Sequence, residues 1–231
     1  PYDVLLSKEY SAERRELIGD RARRDVTTGV HVLEDGDTIY LTTADQYGNM
    51  VSLIQSNFRG MGTGFVVPGT GFSFQNRGEL FSLDPKHANV YAPGKRPFHT
   101  IIPGFVMKDG KPLMSFGNMG GGYQPVGHVS ILTNIIDFGM NIQEAGDALR
   151  WDHAGSTEPT DGTGDSLTNG GRVSIESSID YEIVRTLEAM GHDVRIGQGF
   201  FGRYQAIMRN HTYGVYLGAS ESRVDGQAAG Y

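Results

Sequence analysis

The sequence predicts an α+β layered domain, on three observations. Two stretches carry strong antiparallel hairpin signals, at Thr38–Asn57 and around Asp109-Gly110. Two later stretches, Val126–Met140 and Ser178–Met190, repeat their apolar residues at helical spacing. Helices interleaved with antiparallel hairpins bury their apolar sides by stacking in layers. The 231 residues suit one domain, or two, with enough chain for a sizeable core.

The first element is a charged helix candidate over Ser7–Arg24, with Tyr10, Leu17 and Ile18 as its apolar face. Residues 25–37 read as an exposed linker ending in the acidic, turn-prone run Glu34-Asp35-Gly36-Asp37. A strand follows over Asp37–Asp45, with Ile39 and Leu41 on alternate positions as its half-buried face. Tyr47-Gly48-Asn49 supplies the turn, and Met50–Ser56 is the returning strand. Arg59–Gly71 is glycine-rich, Gly71–Gln75 is a short strand, and Asn76–Pro97 is irregular, broken by Pro85, Pro93 and Pro97. Thr100–Met107 and Pro112–Phe116 flank the second hairpin turn.

Gly120-Gly121-Gly122 leads into the Val126–Met140 helix, with Val129, Leu132, Ile135 and Ile136 inward. Asn141-Ile142-Gln143-Glu144 is a capping box opening a short helix to Leu149. Residues 154–171 form a polar loop whose Asp161 and Asp165 invite a calcium reading, although the EF-hand spacing is missing. Ser178–Met190 places Ile179, Ile183, Leu187 and Met190 inward and stops at Gly191. Strands at 192–196, 204–209 and 213–218 close the chain.

Composition narrows the function. The net charge is −7 with no basic block, which argues against nucleic acid or anionic lipid as partner. No apolar run approaches the roughly 18 residues of a membrane helix. Cysteine is absent, which excludes thiolate catalysis and disulfides but leaves the compartment open between cytoplasm, periplasm and exterior. Seven scattered histidines show no metal-ligand spacing, so neither a metal nor another cofactor is expected. The 33 glycines are about twice the ordinary share and cluster without a period, which is loop chemistry. The chain starts at Pro1 with no initiator methionine, as a fragment of a longer protein would.

Thr38 stands at the head of the first strand, just behind a cleavable segment. A threonine there is ordinary. If the chain is cut before it, however, the freed α-amine, with a reference pKa near 8, becomes the base for its own hydroxyl and no histidine is needed. Pairing about Tyr47-Gly48 puts Asn57 opposite Thr38, while a one-residue bulge puts Ser56 there; either can bond the hydroxyl or the amine. Backbone N–H groups of Gly120 and Gly121 are candidate oxyanion donors. A triple glycine before a helix is more often a close-packed turn. It could also cradle phosphate, but Gly117-x-x-Gly120-Gly121-Gly122 is neither a Walker loop nor a full dinucleotide fingerprint.

The run from Thr38 to Tyr231 resembles the small subunit of the γ-glutamyltranspeptidase family. The matching features are Thr38, Asp45-x-x-Gly48-Asn49-x-Val51-Ser52, Gly62-Thr63-Gly64, Pro93-x-Lys95-Arg96-Pro97 and Asp109-Gly110-Lys111. Gly120-Gly121, Asp137-Phe138-Gly139, Gly218-Ala219-Ser220 and Ala229-Gly230-Tyr231 follow in the family's order. No single motif is specific; the ordered set is.

The resemblance implies an N-terminal-nucleophile hydrolase with an αββα sandwich, made as a precursor that cuts itself before Thr38. Residues 1–37 would then be the end of the large subunit and 38–231 the small subunit. The partners would be the rest of that large subunit and a small-molecule acyl amide such as a γ-glutamyl compound. Thr27-Thr28 competes as nucleophile, but only Thr38 has the family's distance from Gly48-Asn49 and heads a strand. Ser56 stands for a family threonine that steadies the nucleophile, and Phe58 for an asparagine. Ungapped alignment puts Arg77 at a family glutamine and Leu80 at the aspartate that holds the glutamyl ammonium, with Glu79 adjacent as a substitute. His99-Thr100 replaces a serine pair that binds the α-carboxylate. Arg77, Glu79, His99 and Thr100 are therefore the expected substrate-binding residues, and the pattern resembles the family's cephalosporin-acylase-like branch. Two other readings stand beside this one: an uncleaved, catalytically silent fragment or binding module, and a nucleotide-binding domain around Gly117–Gly122.

Overall fold

The computed structural model describes residues 2–22, 38–154, 171–197, 199 and 201–231. The linker at 25–37 and the Thr27-Thr28 pair lie outside the described residues, as do Asp161 and Asp165. In chain order the elements are α1 (Tyr2–Leu5), α2 (Lys8–Arg15), β1 (Thr38–Ala44), β2 (Met50–Ser56), β3 (Gly104–Lys108) and β4 (Lys111–Met119). They continue with α3 (Gln124–Ile136), α4 (Ile142–Asp147), β5 (Trp151–Ala154), β6 (Arg172–Ile175), α5 (Tyr181–Ala189), β7 (Val194–Ile196), β8 (Arg203–Asn210) and β9 (Val215–Ser220).

The centre is an antiparallel sheet in the order β3-β4-β8-β9. Its strand β4 is buried from Met114 to Asn118, on both faces. Met114 and Phe116 point to one side and pack with Tyr204, Ala206, Ala219, Ile131 of α3 and Ile142 of α4. Ser115 and Gly117 point to the other, where the hairpin β1–β2 lies across the sheet. The Thr42 and Ser115 hydroxyls are 2.5 Å apart. A Cβ on Gly117 would fall 2.3 Å from the Tyr40 ring, so only a glycine there lets that ring seat. Helices, sheet and hairpin thus form three stacked layers. A smaller sheet, β5-β6-β7, packs Val173, Ile175 and Val194 against Val184 of α5.

Local chemistry explains most boundaries. The Ser7 hydroxyl caps α2 by accepting from Tyr10 N–H, and Asn141 and Glu144 make both halves of the capping box at α4. Asp180 caps α5. Asp109 and Gly110 both take positive φ, 52° and 72°, the two-residue turn whose twist suits a hairpin.

Several expectations need correction. The first helix ends at Arg15, and Leu17 and Ile18 are exposed. Gly71–Gln75 contributes one bridge, Val66 to Ser73, and no strand. Val129, Ile136 and Ile183 are exposed although their spacing placed them inward, and Val184 is the buried residue of α5. The strands β5 and β6 went unread. The largest correction concerns the hairpin. Ile39, Leu41, Val51 and Leu53 are 58%, 43%, 49% and 44% exposed, and the inward face is Thr38, Tyr40, Thr42, Ser52, Ile54 and Ser56. The apolar face read as half-buried is the one turned away from the sheet.

Candidate functional site

The turn sets the register on which the site depends. Asp45 N–H donates to Asn49 O, leaving Gln46, Tyr47 and Gly48 as a three-residue loop, with Gly48 at φ 93°. The Asp45 carboxylate accepts from the backbone N–H groups of Tyr47 and Asn49, both at 2.9 Å, and from the Asn49 amide at 2.7 Å. The Asn49 side chain foremost holds this exposed carboxyl below its ordinary range. The extra loop residue pairs Thr38 with Ser56, not with Asn57. The tip is tied down by Tyr216, whose hydroxyl donates to Asp45 O at 3.0 Å.

At the open end, the Thr38 hydroxyl donates to Ser56 Oγ at 3.0 Å. The same oxygen accepts from Phe58 N–H at 2.9 Å. Both lone pairs of Ser56 are engaged, and its own hydrogen is left to donate. Phe58 reaches this position with φ 79°, in the left-handed region where a bulky residue is an outlier, and its side chain is buried. Such strain persists only where surrounding structure imposes it, and it clusters at functional sites.

The glycines follow the end of β4. Thr42 lies beside Ser115 and Tyr40 over Gly117, and Thr38 and Met119 are each two residues further along their strands. The next residues, Gly120 and Gly121, have φ 145° and 55° and turn the chain off the end of β4 into α3. Gln124, 1% exposed, braces this turn: its amide donates to Gly121 O and to Thr100 O, and its carbonyl accepts from Ile102 N–H. Burial pushes the Tyr40 phenol above its ordinary value; its hydroxyl lies 2.7 Å from Ser52 Oγ.

Of the expected substrate-binding residues, Arg77 and Thr100 meet at this end. Arg77 Nε donates to Thr100 Oγ1 at 2.6 Å and Nη2 to Ser56 O, a longer contact of 3.4 Å. Glu79, on the same turn of 3-10 helix (Arg77–Leu80), instead pairs with Arg59. His99 is exposed and is joined to none of these groups by a hydrogen bond. Leu80 is buried. Four contributors went unread: Tyr40, Thr42, the backbone N–H of Phe58, and Gln124. Tyr40 and Thr42 were legible in principle, as polar residues alternating with the apolar face; nothing in the sequence marks the other two. Among the described residues no three His, Asp or Glu side chains gather as metal ligands, and no helix is long and apolar enough to cross a membrane.

Comparison with known proteins bears on this geometry. Residues 1–231 match the family model described as Gamma-glutamyltranspeptidase. Oxamate amidohydrolase proenzyme of Klebsiella pneumoniae is 38% identical over 85% of this chain and 36% of its own length. The glutathione hydrolase-like YwrD proenzyme of Bacillus subtilis is 34% identical over 100% of this chain and 42% of its own. A cephalosporin acylase from Bacillus halodurans superposes with TM-score 0.81 and 44% identity, over 100% of this chain and 40% of that one. A γ-glutamyltranspeptidase chain from Pseudomonas nitroreducens gives TM-score 0.67 and 25% identity, over 83% of this chain and 98% of that one. The chain spans about two-fifths of the length of the curated relatives it matches. These likenesses show the N-terminal-nucleophile hydrolase sandwich and the acylase-like branch.

Proposed function

The chain belongs to the γ-glutamyltranspeptidase family, and from that premise we propose that it is the C-terminal part of a self-cleaving amidohydrolase or acyltransferase with Thr38 as nucleophile. The observation that carries this is the Thr38 hydroxyl at the head of β1, held on Ser56 at 3.0 Å. In the precursor, Thr38 Oγ attacks the carbonyl carbon of Asp37. The C–N bond breaks and frees the Thr38 amine as an ester joins Asp37 to the threonine oxygen, and water hydrolyses that ester to release the Asp37 carboxylate and restore the hydroxyl. That amine then takes the hydroxyl proton as Oγ attacks a substrate amide. Backbone N–H groups of Gly120 and Gly121 stabilise the oxyanion, the ammonium returns its proton to the leaving amine, and water or an acceptor amine discharges the acyl-enzyme. Ser56, with its hydrogen uncommitted, orients the Thr38 amine or hydroxyl in both stages.

Residues 1–37 are then the end of the large subunit and 38–231 the small subunit. The 83% of this chain matched by the separate transpeptidase chain, a share close to that of Thr38–Tyr231, supports the division. The relatives are proenzymes, and the exposed Ile39, Leu41, Val51 and Leu53 suit a surface that the remainder of the large subunit covers. The substrate is a small acyl amide, within the range that the relatives' names span, from glutathione to oxamate and cephalosporins.

Thr38→Ala in the full-length precursor tests the assignment. Intact mass is expected to show one uncut chain, and hydrolysis of γ-glutamyl-p-nitroanilide and glutaryl amides is expected to vanish. A variant still cleaved before residue 38, or still active, removes Thr38 from the mechanism. A wild-type precursor that stays whole and inactive marks a silent binding module instead.

A further inference from the structure

Gly120, Gly121 and Gly122 make a turn that has no side chain to anchor it. Gly120 and Gly121 take φ 145° and 55°, and glycine has the widest choice of backbone conformations. Two backbone bonds give the turn its shape. Tyr123 N–H donates to Gly120 O at 3.0 Å, and Gln124 N–H donates to Gly121 O. Both bonds lie within residues 120–124. They hold the two peptide planes relative to each other, and by themselves they do not place either plane relative to Thr38.

The Gln124 side chain supplies a tie to another segment, and its whole carboxamide is spent on it. Nε2 donates to Gly121 O at 3.2 Å and to Thr100 O at 2.8 Å, while Oε1 accepts from Ile102 N–H at 3.2 Å. Thr100 leads on to the nucleophile. Its Oγ1 accepts from Arg77 Nε at 2.6 Å, Arg77 Nη2 donates to Ser56 O at 3.4 Å, and Ser56 Oγ accepts from Thr38. One side chain therefore closes a hydrogen-bonded route from Gly121 to the Thr38 hydroxyl. Gln124 is 1% exposed, so a shift of the turn would leave a buried amide group without its partner, which is costly.

We propose that Gln124 is a positioning residue for the reaction: its carboxamide sets where the Gly120 and Gly121 N–H groups stand relative to Thr38. The proposal deepens the Thr38 reading and rests on it for the role of those two N–H groups. Backbone donors stabilise an oxyanion only when they are aimed at it beforehand, and a misplacement of about 1 Å can cost on the order of a hundredfold in rate. Gln124 touches no reacting atom. It acts on the transition state alone, through the aim of the turn, so its loss is read in kcat and not in KM.

The test uses the processed full-length protein with the better substrate of γ-glutamyl-p-nitroanilide and glutaryl-p-nitroanilide. Gln124→Met keeps the length of the side chain and removes its hydrogen bonds. It is expected to lower kcat roughly thirtyfold while KM stays within about threefold. Gln124→Glu keeps the acceptor for Ile102 N–H but turns a carboxylate on two carbonyl oxygens. Its kcat is expected to fall as far, and the ratio of its kcat to that of wild type to rise as the pH is lowered, because a protonated carboxyl regains one donor. A lowered melting temperature with unchanged kcat, a rise in KM as large as the fall in kcat, or a ratio that is flat with pH overturns the proposal. Hydrogen exchange on wild type reads the same coupling without a variant. Butylboronic acid, which adds to the Thr38 oxygen as a tetrahedral boronate, is expected to slow exchange of the Ile102 amide at least several-fold. Unchanged exchange also overturns the proposal, even if both variants fail to mature. Failure of the Thr38 reading looks different, as an uncut wild-type precursor or an active Thr38→Ala variant.

Discussion

In the four-stranded sheet, Met114, Phe116, Tyr204 and Ala206 alternate along their strands and are buried against α3 and α4. In the hairpin, Ile39, Leu41, Val51 and Leu53 alternate in the same way and stay exposed, while Thr38, Tyr40 and Ser56 turn inward. The two regions obey one rule with opposite outcomes. Alternation says that a face is to be covered, not what covers it, and in the hairpin the covering layer is absent among the described residues. The polar face is buried because it meets the sheet. There Tyr40 and Ser52, and Thr42 and Ser115, satisfy one another's hydroxyls.

The self-sufficiency of the sheet can be broken where β8 begins and β9 ends, beside the end of β4. Arg150 pairs with Glu221, whose other oxygen accepts from Arg223, and Arg223 reaches Glu176 of the small-sheet unit. Glu221 also accepts Tyr204 N–H at 2.7 Å. Glu221→Gln leaves Arg150 buried without its counter-charge. It is expected to cost about 3–5 kcal/mol, read as a lowered melting temperature of the processed full-length protein; an unchanged melting temperature would show that this network contributes nothing.

Leu41→Ala sharpens the comparison from the other side. If the large subunit covers the hairpin's outer face, the full-length protein loses about 2–3 kcal/mol, as a buried leucine would. A truly solvent-facing leucine changes stability by no more than about 0.5 kcal/mol, and a value that small would refute the covered face.

Gly117→Ala attacks the contact between the two regions. The added methyl meets the Tyr40 ring, at an overpacking cost of ~1–2 kcal/mol. Because Tyr40 and Thr38 share a strand and a face, activity is expected to fall further than stability does. Retained kcat with a lowered melting temperature would show that the hairpin's seat does not position the nucleophile.

The local features were readable before the fold. Asp109-Gly110, the Asn141–Glu144 capping box and Thr38 at a strand head each depend on residues a few positions apart. What could not be read depends on distant partners. β5 and β6 are four-residue strands, and β6 pairs in parallel with β7 across α5, so no hairpin signal marks it. Val129 and Ile183 have the right period but lie on helix faces that no other element covers among the described residues. For the site, the Ser56 and Asn57 alternatives differed by one loop residue, which the Asp45 clamp decided.

The sequence by itself determined the order of elements, their turn and cap chemistry, the family and the residue that heads β1, because all of these are written in short-range spacing and motif order. Only the tertiary structure decided which hairpin face is inward, that Gln124 braces Gly121 to Thr100, and that Arg77 is a buried cation with neutral partners. Those outcomes rest on burial and pairing between segments far apart in the chain, and a side chain's environment is a property of what folds against it.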